Sequence, residues 1–249
     1  FCKFANLSEK EYRTLLSALS DTVEQKISAN EFGNIDYSKI PSLAAARYQK
    51  LFNRKDGERY KAYIESLSKG EAKINAGAVY PYDVIKSIKY GNADVANEQW
   101  KALPNWMAEG ENILCMTDVS SSMSWVNIGS ITALDIGVSL ALYVAERNTG
   151  CFKDELMVYS TNPHFIELSG DLRNRHRQVM RHVEYGSTNL QAAFDRILEV
   201  GKRNNLTQKD MPSKLIIFSD MEFNQVDGAN GRTNFEAIQG KYKKAGYEM

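Results

Sequence analysis

Apolar residues recur at helical spacing through residues 1–110 and in short continuous runs from residue 111 onward, and this change of period divides the chain. In the first part, Tyr12, Leu15, Leu16, Leu19, Val23 and Ile27 fit one helix face, with Ser8 as N-cap and Glu11 three residues on. Pro41 suits the first turn of a second helix, whose inner face is read as Leu43, the stem of Arg47, Tyr48, Leu51 and Phe52. A third helix runs from Asp56 to Lys69, with Tyr60, Ile64 and Leu67 inward and Gly70 as its stop. Pro81 opens a fourth around Val84, Ile85 and Ile88, ended by Gly91. A fifth carries Val95, Gln99 and Trp100 until Pro104 breaks it. The expectation is an all-α domain over residues 1–110, with no strand and no fixed repeat.

The second part alternates strands and helices. Ile113 to Thr117 is an apolar run of the kind buried in a parallel sheet. Ile131 to Arg147 reads as a helix with Leu134, Val138, Leu142 and Ala145 on one face. Glu155 to Tyr159 and Pro163 to Leu168 read as an antiparallel pair joined by the turn Ser160-Thr161-Asn162. Helices follow at Leu172 to Val183 and Leu190 to Gly201, then a strand at Lys214 to Phe218 and a helix at Phe235 to Lys244. This order predicts an α/β domain over residues 111–249: a Rossmann-like, mostly parallel sheet with helices on both faces. A further strand or two is expected after residue 249, and an N-terminal piece before Phe1.

Composition narrows the partners. Lysine plus arginine equals aspartate plus glutamate, 31 each, so no global field draws nucleic acid or membrane. No apolar run approaches the roughly 20 residues of a membrane span. Three widely spaced cysteines, Cys2, Cys115 and Cys151, form neither a metal finger nor a disulfide framework, and a reduced, intracellular (cytoplasmic) protein is expected.

The candidate chemistry lies at the strand ends. Asp118-Val119-Ser120-Ser121-Ser122 closes the first apolar run, and its oxygens at alternate positions can turn toward one point. Ser187 or Thr188 leaves a second loop and Asp220 a third, so two carboxylates and several hydroxyls suit a hard divalent cation, Mg²⁺ or Mn²⁺, with one position open. Taken alone, the pentapeptide also suits a helix cap. Around it, Trp125 offers either a partner contact or packing onto the following helix. Arg173, Arg177 and Arg181 share a helix face that reads as solvated surface, or as a holder of phosphates. Lys69, Lys73, Lys86 and Lys89 lie around Tyr80 and Tyr82. His164, His176 and His182 have no ligand spacing, and no Ser-His-Asp order or nucleophile elbow is present. Gly228-Ala229-Asn230-Gly231 lacks the lysine of a phosphate loop and reads as a turn.

Asp118, Ser120 and Ser122, followed by Thr188 and Asp220, resemble the von Willebrand factor A domain and its metal-ion-dependent adhesion site. The resemblance covers residues 111–249. It implies that Ser120 and Ser122 ligate directly, Thr188 directly or through water, and Asp118 and Asp220 largely through water. Ser121 stands where many intracellular members carry glycine. The stretches Tyr37 to Ser42, Lys69 to Asn75 and Tyr80 to Tyr82 resemble an uncharacterised helical family that precedes such domains. The layout is also similar to the Ro ribonucleoproteins, whose helical part binds structured RNA. The expected function is a metal-dependent module that binds an acidic residue of a protein partner, with no catalysis. The alternative is an RNA-binding scaffold carrying the adhesion-type domain as an accessory. A metal-dependent hydrolase would need a general base next to the metal, and nothing beyond Asp220 or Glu222 offers one.

Overall fold

The computed structural model describes residues 6–89, 93–108, 110–185, 189–220 and 234–248. Gly91, Ser187, Thr188, Glu222 and the turn expected at Gly228 to Gly231 lie outside them. The chain divides into two compact units, residues 1–78 and 79–249.

The first unit is helical throughout its described residues. Helix α1 (Glu9–Leu19) opens on the expected capping box: the Glu11 N–H donates to Ser8 Oγ at 3.3 Å, and the Ser8 N–H to the Glu11 carboxylate at 2.8 Å. The pattern from Tyr12 to Ile27 is two helices rather than one. A second capping box, Thr22 with Gln25, starts α2 (Val23–Ser28), because side-chain oxygens there compete for the backbone donors that a continuous helix would use. No residue of α1 is buried, and Leu15, Leu16 and Leu19 are exposed rather than inward.

Pro41 caps α3 (Ser42–Lys55), whose buried face is Ala45, Gln49 and Phe52 together with Ala44, while Leu43 and Arg47 are exposed. Phe52 sets this rotation by packing edge-on to Tyr37 and against Tyr60. At 3.6 residues per turn, Leu43 and Arg47 lie about 180° and 140° around the helix from it. Helix α4 (Gly57–Ser68) buries Tyr60 and Leu67 as expected and ends before Gly70, whose φ of 75° a side chain would resist.

The second unit begins with α5 (Pro81–Lys89) and α6 (Ala93–Ala102). There follow β1 (Ile113–Asp118), a hairpin of β2 (Asn127–Ile128) and β3 (Ile131–Thr132), and α7 (Ala133–Arg147). Next come β4 (Glu155–Tyr159), β5 (His164–Glu167), α8 (Leu172–Met180), α9 (Leu190–Arg203), β6 (Lys214–Phe218) and α10 (Asn234–Lys244). The architecture is mixed α/β with a Rossmann-like sheet in the order β5-β4-β1-β6. Strand β1 is parallel to β4 and β6, and β5 is antiparallel to β4. The hairpin before α7, turned at Gly129 (φ 66°), has no counterpart in the expected pattern, because two-residue strands are too short to show a period.

Every residue of β1 is buried, which a strand covered on both faces requires. Leu114 and Met116 join a core with Ala193 and Ile197 of α9 and Ile238 and Tyr242 of α10. On the other face Thr117 lies against Gly137 of α7. Helix α6 is tied to α7 by the Trp100 indole N–H, which donates to Glu146 at 2.7 Å, and by the Arg147 guanidinium, which donates to Trp100 O at 2.8 Å and lies over the Trp100 ring at 5.5 Å. Helix α5 is tied to α7 by the Lys89–Asp135 ion pair. The chain leaves β1 toward β4 through α7 and reaches β6 on β1's other side through α8 and α9. The carboxyl end of β1 is therefore the switch point of the sheet, where ligands of such folds sit.

Candidate metal centre

Asp118 is the last residue of β1, and its side chain is fully buried. Oδ1 accepts from the Ser120 N–H at 2.9 Å and Oδ2 from the Ser219 hydroxyl at 2.8 Å. Both donors are neutral, and no cationic side chain pairs with this carboxylate among the described residues. A carboxylate held away from water is costly unless a cation or several strong donors compensate it. Two neutral hydrogen bonds leave lone pairs on both oxygens.

The serines answer the helix-cap alternative. Ser120 precedes a single 3-10 turn, Ser121–Ser124, and its side chain makes no capping bond there. Helix α7 is capped much later by Thr132 and Asp135, which form their own capping box. Ser120 Oγ instead lies 3.0 Å from Ser122 Oγ. Adjacent vertices of an octahedron with bonds of about 2.1 Å are separated by about 3.0 Å, so two hydroxyls at this distance fit one edge of a Mg²⁺ shell. Among the described residues no group of three or more His, Cys, Asp or Glu side chains could hold a metal. The candidate centre differs from such groups in kind, because its direct ligands would be hydroxyls.

Two further segments meet this loop. The Glu184 N–H donates to Val119 O at 3.2 Å, and Glu184 pairs with Ser120 in a parallel bridge. The Asn189 N–H reaches Ser160 O at 3.3 Å, beside the end of β4. Thr188, between them, lies outside the described residues. Asp220 follows Ser219 at the end of β6 and is half-buried. Ser219 escaped the sequence reading, although a hydroxyl leaving a strand beside Asp220 was a visible signal.

Of the neighbouring candidates, Trp125 is 71% exposed and does not pack onto α7 as a core residue would. Arg177 and Arg181 are exposed and Arg173 is half-buried, while Arg175 on the same helix pairs with Asp154 at 2.5 Å. Lys86 and Lys89 are engaged by Ser130 and Asp135. The fold also joins histidines that have no spacing signal. His164 Nε2 lies 3.0 Å from His182 Nδ1, and burial first and then the His164 ring push the His182 pKa down. His176 of α8 is buried near Lys89 and Asp135.

Among the described residues no helix is long and apolar enough to cross a membrane. Residues 4–112 match a family model described as a domain of unknown function, DUF2828, and residues 112–249 match another so described, DUF7788. A curated relative, the uncharacterized protein L728 of Acanthamoeba polyphaga mimivirus, is 27% identical over 263 residues. The match covers 97% of this chain and 45% of the relative, so the chain spans less than half of that protein's length. With more than half of its residues matched by one model, and with the buried Asp118 and paired serines inside the match, the chain belongs to the DUF7788 family.

Proposed function

We propose that residues 111–249 form a divalent-metal-dependent protein-interaction module of the von Willebrand factor A type. In this reading Ser120 and Ser122 hold Mg²⁺ or Mn²⁺ directly, Asp118 and Asp220 act through water, and Thr188 completes the set. The observation that carries it is the fully buried Asp118 carboxylate, bonded among the described residues only to neutral donors, beside two hydroxyls 3.0 Å apart. A bound divalent cation would neutralise the carboxylates and leave one coordination position for an Asp or Glu of a partner. Ser219 and the Ser120 amide orient Asp118, and the bridge between Ser120 and Glu184 holds the first loop against the second.

Binding has more support than catalysis. Each Asp118 oxygen already accepts one hydrogen bond, and the lone pairs that remain are those a metal-bound water would donate to in this reading, so Asp118 anchors the site rather than serving as a free base. Of the basic groups an RNA scaffold would use, Lys86 and Lys89 are engaged within the fold, while Arg177 and Arg181 are exposed.

Titration calorimetry with Mg²⁺ on the wild type and on Asp118→Asn tests the reading. The wild type should bind, and at about a hundredfold excess over Kd gain about 2.7 kcal/mol of stability. Asp118→Asn should fold, lose the heat of binding and show no metal-dependent Tm shift. An equal response from the variant, or no binding by the wild type, would overturn the proposal.

A further inference from the structure

Trp125 and Tyr185 are 71% and 90% exposed, and Val126, which follows Trp125, is 48% exposed. Two other exposed rings of this unit have aromatic neighbours: Tyr80 stacks on Tyr82 at 5.5 Å, and Trp106 lies 5.2 Å from Tyr143. Among the described residues Trp125 and Tyr185 have no such ring contact. Both are tied by backbone to the candidate centre. The Trp125 N–H donates to Ser122 O at 2.9 Å, and Tyr185 follows Glu184, which pairs with Ser120. Large aromatic side chains left in water at a ligand site are the residue types that dominate binding energy at interfaces. Arg177 and Arg181 are exposed and form no ion pair among the described residues. Arg181 stands three positions before Glu184, at the C-terminal end of α8.

We infer that Trp125, Val126 and Tyr185 form a recognition rim for a protein segment in which an acidic residue stands next to a large apolar one. The inference rests on the metal reading above and names the partner's chemistry. The carboxylate goes to the metal position, the apolar side chain goes to the rim, and further acidic residues face Arg177 and Arg181. Residues one or two positions apart on an extended segment are separated by about 3–7 Å along the chain, so one short segment can present both groups.

The test is selection from a random peptide library on the full chain with Mg²⁺, eluting with EDTA. The eluted peptides should carry Asp or Glu within two positions of Trp, Phe, Leu or Ile. Replacing that apolar residue by Ser should weaken binding about tenfold. Trp125→Ala and Tyr185→Ala should remove this preference while leaving Mg²⁺ affinity unchanged, which separates recognition from loss of fold. Acidic peptides with no apolar preference, a preference that survives both variants, or no chelator-eluted peptide from a protein that binds Mg²⁺ would overturn the rim alone. Absence of Mg²⁺ binding in the wild type would remove the metal reading, and the rim with it.

Discussion

His176 is buried on α8, and burial first, then the charge of Lys89, push its pKa down to about 4 against the opposing pull of Asp135. The folded ring stays neutral where the unfolded ring, near 6.5, has already taken a proton. Above pH 6.5 the two states agree and the fold loses nothing. Between 6.5 and about 4 the unfolded state binds more protons, so stability falls as pH falls, by about 3 kcal/mol at most. Thermal unfolding of the wild type should therefore weaken from pH 7 to pH 5 more steeply than that of His176→Asn. Parallel curves would mean that the ring is not held neutral. Legibility differed sharply among such residues. Asp118, Ser120 and Ser122 were visible because a carboxylate and two hydroxyls leave an apolar strand at alternate positions. His176 beside Asp135, and His164 against His182, were not, since separated segments bring them together.

Helix α7 shows how far an element can be read from its own residues. Its apolar face, with Leu134, Val138, Leu142 and Ala145 all buried, was legible as a helical period, as was the apolar run of β1. Its closest approach to the sheet was not. A Cβ on Gly137 would lie 3.3 Å from Phe218 Cβ, 3.3 Å from Thr117 Oγ1 and 3.4 Å from Met123 Cε. The glycine is needed for proximity rather than for an unusual dihedral angle. Gly137→Val should destabilise the fold by about 2 kcal/mol through overpacking between α7, β1 and β6. Because Met123 follows Ser122, it should also weaken Mg²⁺ binding. Chemical denaturation and calorimetry on that variant measure both effects, and an unchanged midpoint would mean that the helix can withdraw freely. The rotation of α3 makes the same point: Leu43 looked as suitable for the core as Phe52 until the Tyr37 and Tyr60 rings fixed which side faces inward.

At the scale of the molecule, the family models meet at residue 112, whereas the compact units divide after residue 78. Helices α5 and α6 belong with the sheet: Val84, Ile85 and Ile88 are buried, α5 pairs Lys89 with Asp135, and Trp100 bonds Glu146. A fragment of residues 79–249 should unfold as one cooperative transition. One of residues 113–249 should bare the outer face of α7, bind a hydrophobic dye and unfold at least several degrees lower. Equal Tm values for the two fragments would show that α5 and α6 contribute nothing to the sheet unit.

The sequence by itself determined the helical first part, the alternation of strands and helices that makes an α/β sheet, and a set of oxygen-bearing residues at strand ends. Periodicity and local capping chemistry act between near neighbours and leave their mark on consecutive residues. Tertiary structure alone decided that Asp118 is fully buried between Ser120 and Ser219, that the two serine hydroxyls face each other rather than cap a helix, and that Trp125 and Tyr185 stay in water beside them. Those outcomes depend on which distant segments the sheet brings together, and burial and electrostatic environment are properties of that assembly rather than of any stretch of chain.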